Sequence, residues 1–261
     1  MHPMLNIAIR AVRKAGNLII KNYEIVSSVK IDQHNSTKII SAVKIELEKS
    51  IIEIINKSYP HHNIITEMHG TIVGSNKDIK WIIDPLDCIQ NFFKCLPNFS
   101  ISITLIIKDR SELAVIYAPI LNELFSAVRG RGAQLNGYRL RCSTAIDLKG
   151  IILAIGYFFS LQQNNKKYIV KISKIFHQDY IDFRRSGSVG LDMAYVAAGR
   201  IDGYFDIGLQ PWNFGAGELL VKESGGLISD FNGNHNYMNS NNIIAANPQI
   251  LKAILLKMRN T

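Results

Sequence analysis

The chain has 261 residues, 47% of them hydrophobic and 20% charged, which describes an ordinary globular protein long enough for a large core. No stretch is apolar and long enough to span a bilayer, and the start Met1-His2-Pro3-Met4-Leu5-Asn6 lacks a signal-peptide pattern, so a cytoplasmic location with no membrane partner is expected. A net charge of +9 permits RNA or other anionic partners, although no block of like charge marks a dedicated groove, and Cys88, Cys95 and Cys142 show no spacing for a disulfide framework or a zinc site.

Leu5, Ala8, Ile9, Val12, Ala15 and Ile19 recur at helical spacing and predict a helix over residues 4–22. A polar stretch, Asp32 to Lys38, separates it from a second helical pattern running from Val43 to Lys57, with Leu47, Ile51, Ile54 and Ile55 on one side. Asn63-Ile64-Ile65-Thr66-Glu67 and Lys80-Trp81-Ile82-Ile83-Asp84 are short apolar runs that each end on an acid, as buried strands presenting carboxylates would. Strands follow at residues 101–107, 113–117 and 123–128, and Asn136-Gly137 marks a hairpin between Leu135 and Tyr138. After about Thr144 strand and helix alternate. An apolar run at residues 150–155 precedes helices at 168–176 and 191–198, a strand at 203–207, a helix at 216–223, a strand after Gly225-Gly226 and a last helix from Pro248 to Met258. The expected organisation is an α+β half over residues 1–145 and an α/β half over 146–261, packed closely enough to count as one domain.

The run Trp81-Ile82-Ile83-Asp84-Pro85-Leu86-Asp87 carries the chemistry. Acids at strand ends suit Mg²⁺, which takes oxygen ligands, and Pro85 fixes the backbone between two aspartates so that both side chains and the Leu86 carbonyl can turn to one point with Glu67. Taken alone, Asp84-Pro85-Leu86-Asp87 also fits a helix-capping turn.

The stretch from Trp81 to Phe92 resembles the inositol monophosphatase signature Trp-x-Ile-Asp-Pro-Leu-Asp-Gly-Thr-Thr-Asn-Phe, and Pro211-Trp212-Asn213-Phe214-Gly215-Ala216-Gly217 resembles the second signature of that family. The likeness runs from the first residues to the last helix, and is closest to the bacterial branch whose members double as Nus factors. It implies a layered α-β-α-β-α sandwich and a Mg²⁺-dependent phosphomonoesterase acting on inositol-1-phosphate. It also implies a homodimer, and partnership with the RNA polymerase antitermination complex, its Nus factors and ribosomal RNA. By position, Glu67, Asp84, Asp87 and the Leu86 carbonyl match metal ligands, with Asn213 a weakened match. Arg184, Gly187, Ser188 and Asp206 match the substrate side, although the pair Arg184-Arg185 fits a solvated surface as well.

The departures fall on the chemistry. Where the family has two aspartates this chain has Lys38 and Lys44, and the second of those aspartates helps activate the attacking water. Its usual threonine partner is Ile89. Cys88 replaces a glycine, Met68 a second acid beside Glu67, and Asn213 a metal-binding aspartate. At the positions of Lys44, Glu67, Asp84, Asp87 and Asn213, five carboxylates of the family become three carboxylates, one ammonium and one amide, so Mg²⁺ is expected to bind weakly or not at all. The Lys44 ammonium either joins Glu67, Asp84 and Asp87 in place of a cation or swings to solvent. The resemblance thus implies an antitermination factor on a phosphatase scaffold, with an active Mg²⁺-dependent phosphatase as the alternative.

Overall fold

A computed structural model of the chain describes residues 2–28, 33–156, 173, 180–235, 237–240 and 242–259. Helix α1, Pro3–Ser28, begins on a proline and buries Leu5, Ala8, Val12, Ala15 and Ile19 along one stripe, as the periodicity predicts. Helix α2, Gln33–Ser58, buries Val43, Leu47, Ile51 and Ile55. It starts ten residues before the predicted pattern, so the stretch expected to separate the helices is itself helical from Gln33. The run from 33 to 58 holds neither glycine nor proline, and polar side chains alone do not stop a helix.

The first sheet contains β1 (His62–Thr66), β2 (Gly70–Ile72), β3 (Asn76–Asp87), β4 (Ser100–Ile107), β5 (Arg110–Ala118), β6 (Glu123–Val128), β7 (Gly132–Leu135) and β8 (Tyr138–Arg139). Their order is β2-β1-β3-β4-β5-β6-β7-β8, with β1 and β3 parallel and the other neighbours antiparallel. The β7–β8 turn is Asn136-Gly137, both residues at positive φ (49° and 88°), the geometry that makes this dipeptide a hairpin signal. A short helix, α3 (Ile89–Phe93), follows β3.

The second sheet has the order β10-β9-β11-β13-β12, formed by β9 (Ile152–Ile155), β10 (Asp182–Arg184), β11 (Gly203–Ile207), β12 (Leu227–Ser229) and β13 (Asn242–Ala246). Its helices are α4 (Val189–Ala197), α5 (Pro211–Glu223), α6 (Tyr237–Ser240) and α7 (Pro248–Arg259). Of the helix expected at 168–176, all but residue 173 lies outside the described residues.

Three apolar clusters show how the layers stack. In the first, Leu5, Ile19, Leu47 and Ile55 of α1 and α2 meet Trp81, Ile83, Ile103 and Val115 of the first sheet. In the second, Leu191, Met193 and Leu220 of α4 and α5 lie between Ile116 and Phe125 of the first sheet and Tyr204 and Ala245 of the second. In the third, Leu153, Phe205 and Ile244 meet Ile250 and Ile254 of α7. Tyr204 and Phe205 fall into different clusters, as neighbours on a two-sided strand must. The result is the expected α-β-α-β-α sandwich. No described helix is long and apolar enough to cross a membrane.

Candidate functional site

Two aspartates three residues apart would point to opposite faces of a regular strand. In β3 they do not, because the register slips between them: Asp84 pairs with Ser102 and Asp87 with Ser100. Ser100 and Ser102 share one face of β4, so the bulge at Pro85-Leu86 turns both carboxylates to that side, toward the helical layer between the sheets. Proline has no N–H to give the ladder, and a bulge is where a strand tolerates it.

The carboxylates are buried and already engaged. Asp87 Oδ2 accepts hydrogen bonds from Ser188 Oγ (2.7 Å) and from the backbone N–H of Gly190 (2.8 Å) at the start of α4. Asp84 Oδ1 accepts from the Leu86 N–H at 3.2 Å. Burial raises the Asp84 carboxyl well above its ordinary range, with the Asp87 charge adding to the effect, and raises Asp87 to about 6 against the pull of Ser188 and Gly190.

Glu67, just past β1, meets Lys44 of α2, with Nζ 2.5 Å from Oε2. The Lys44 side chain is only 12% exposed and Glu67 is 37% exposed, so the ammonium pairs with Glu67 rather than swinging to solvent, while Asp84 and Asp87 lie beyond ion-pair distance of it. Its charge also acts on Asp84 and Asp87.

Lys44 and Glu67 border an open cavity of about 740 Å³, whose walls also include Cys88, Ile89, Arg185, Gly187, Asp192 and Asp206, while Asp84, Leu86 and Asp87 are buried outside its lining. Asp206 is held by the Tyr204 hydroxyl and the Ile207 N–H, both at 2.7 Å. A Cβ at Gly156 would lie 1.8 Å from its Cγ, so only glycine leaves room for that carboxylate. Asn91 of α3 donates to the Ser186 carbonyl at 2.8 Å and so ties the first sheet to the 185–188 wall. Of the substrate-side residues named from sequence, Gly187 and Asp206 line the cavity, while Ser188 lies fully buried behind it, holding Asp87. Arg184 pairs with Asp182 at 2.5 Å and is not part of the lining, whereas Arg185 is.

Asp192 was not singled out from the sequence. It sits in α4 within Val189-Gly190-Leu191-Asp192-Met193, where its place in an apolar helix was the available signal. Burial pushes its carboxyl up to about 7, with the charges of Asp87 and Asp206 contributing. Glu48 was also missed. It is fully buried on α2 and accepts from the N–H groups of Met68 (2.9 Å) and His69 (3.1 Å), with His69 Nδ1 2.6 Å away.

A profile of the Inositol monophosphatase family matches residues 1–261. The chain belongs to the inositol monophosphatase family. Nus factor SuhB of Escherichia coli K12 is 56% identical over 260 residues, covering 100% of this chain and 97% of that one. Nus factor SuhB of Haemophilus influenzae is 48% identical over 259 residues, covering 99% and 97%. Among solved structures, the extragenic suppressor protein suhB of Bartonella henselae superposes with a TM-score of 0.86 at 31% identity, covering 98% of this chain and 99% of that one. Inositol monophosphatase from Anabaena sp. PCC 7120 gives 0.85 at 28% identity, covering 99% and 96%.

The donor set does not fit the Mg²⁺ that family membership implies. Glu67 is taken by an ammonium, one oxygen of Asp87 carries two hydrogen bonds, and Asn213 Oδ1 accepts from the Gln210 N–H at 3.0 Å, capping its own helix. Among the described residues, no group of three or more His, Cys, Asp or Glu side chains is placed to hold an ion.

Proposed function

We propose that this protein works as a Nus-type factor: it joins the RNA polymerase antitermination complex and assists ribosomal RNA folding, from the cytoplasm and as a homodimer. The inositol monophosphatase scaffold supplies the surfaces, and hydrolysis is weak or lost. The observation that carries this reading is that Lys44 and Ile89, the two positions matching the family's water-activating pair, both line the cavity. An ammonium and a hydrocarbon have no lone pair with which to take a proton from water. Loss of general-base assistance alone costs ~10² to 10⁴ in rate. Relatives 46–56% identical over nearly their whole length are named Nus factor SuhB, which supports the binding role.

Two measurements test it. Phosphate release from inositol-1-phosphate across a Mg²⁺ series should stay at background, and clear turnover abolished by Asp84→Asn would restore the phosphatase reading. Tagged protein should retain Nus factors and RNA polymerase in a pull-down with purified components, and a failure to do so removes the binding role.

A further inference from the structure

Lys44 and Glu48 lie one turn apart on α2 and therefore share a face. That face grips the end of β1 and the turn after it at consecutive residues. Lys44 holds the Glu67 carboxylate, and the buried Glu48 carboxylate takes the next two N–H groups, those of Met68 and His69. Glu67 is thus delivered to the ammonium by backbone contacts that do not involve its own side chain. Behind it stand Asp84 and Asp87, both buried, with the Lys44 charge acting on each.

We infer that Lys44 is a tethered cation: its ammonium, locked against Glu67 by the Glu48-held turn, supplies a fixed positive charge to the carboxylate cluster without a metal and bars Mg²⁺ from it. The inference deepens the binding-protein reading and rests on it, since it explains how the cluster persists once metal chemistry is gone. An ion from solution neutralises such a cluster only when its concentration exceeds its dissociation constant. A covalently attached ammonium is present at every Mg²⁺ concentration. A divalent ion entering the same space would have to displace Lys44 from Glu67 and would feel its repulsion at close range.

Lys44→Met tests this, because it keeps most of the apolar stem and removes the charge. Thermal unfolding is followed in EDTA and in about 10 mM MgCl₂, and MgCl₂ is titrated calorimetrically into each folded protein. The wild-type melting temperature should be the same in both buffers, with no Mg²⁺ binding heat. The variant should melt about 4 °C lower in EDTA, recover in MgCl₂, and bind Mg²⁺ about tenfold or more tightly than wild type. Lys14→Met, which removes the exposed partner of Glu53, should leave the Mg²⁺ response unchanged. Wild-type protein that binds Mg²⁺ as well as the variant overturns the inference, as does a variant as stable as wild type in EDTA or a Lys14→Met protein with the same new response. Should Lys44→Met fail to fold, the wild-type titration decides alone, since a Mg²⁺-dependent rise in melting temperature is incompatible with a barred site. None of these readouts uses turnover or a partner, so they can fail while the pull-down succeeds.

Discussion

Cys88 has φ 63° and ψ 65°, the left-handed conformation that costs an L-residue about 1–2 kcal/mol and glycine almost nothing. It caps α3 without a side-chain hydrogen bond, and burial raises its thiol, so the residue brings neither a cap nor a ready nucleophile. Cys88→Gly should therefore match or exceed wild type in urea midpoint, whereas Cys88→Val should fall below Cys88→Gly by about 1–2 kcal/mol; equal midpoints for the two variants would show that the strain is absent. Glu48 offers a sharper contrast. Its buried carboxylate satisfies two backbone N–H groups and faces His69 Nδ1, so Glu48→Ala strands them and should cost about 2–4 kcal/mol in urea unfolding. A loss under about 0.5 kcal/mol, the range of ordinary surface changes, would refute that anchoring role. The acids at strand ends were legible because they close apolar runs. Glu48 and Asp192 were not, because each sits in a helix whose sequence pattern says nothing about the sheet residue its side chain will meet.

Helices α4 and α5 form the layer between the sheets and approach closely at one glycine. A Cβ at Gly217 would stand 2.5 Å from the Met193 Cβ, too near for either helix to stay in place. Gly217→Ala should destabilise the protein by about 1–3 kcal/mol through overpacking, and the double variant Gly217→Ala/Met193→Ala should not recover it all, because the clash is with Met193 Cβ itself. A circular dichroism melt of Gly217→Ala at the wild-type temperature would contradict this packing. Helices α1 and α7 were readable because one buried face repeats over many residues, and strands β4 to β6 because their apolar runs, buried on both faces, are bounded by turn residues. The missed elements have different causes. Strands β2 and β10 have three residues each, too few to show a period, and α3 has only five. Strand β13, Asn242–Ala246, is buried along its whole length, and its short apolar run Ile243-Ile244-Ala245-Ala246 does not by itself tell a strand from a buried helical segment. The start of α2 was hidden by polarity, since the stripe that reveals a helix begins only at Val43.

At the scale of the whole molecule, folding segregates charge. Glu48, Asp84, Asp87, Asp192, Asp206, Glu218 and Asp230 are buried, while the chain carries 30 basic residues against 21 acids, so the solvent-facing surface is more basic than the composition suggests. That surface suits an anionic partner, and the acids kept inside give the protein a pH response of predictable sign. Burial raises Asp192 to about 7, Asp87 to about 6 and Asp84 well above its ordinary range. The folded state therefore keeps protons that the unfolded chain has released above about pH 4, so its stability falls as pH rises above about 4, with the Asp87 and Asp192 contributions lost as pH passes about 6 and about 7. His62, lowered chiefly by burial, works the other way, because it resists protonation in the fold and makes stability decline on acidification through its ordinary range. The two effects separate in Asp192→Asn, which keeps the shape of the carboxyl and cannot titrate. Between pH 7.5 and 5.5, wild type should gain about 1–2 kcal/mol relative to Asp192→Asn in metal-free urea unfolding. Parallel pH profiles for the two proteins would mean that Asp192 is ionised in the fold at neutral pH, and that the cavity is wetter and more negative than its burial implies.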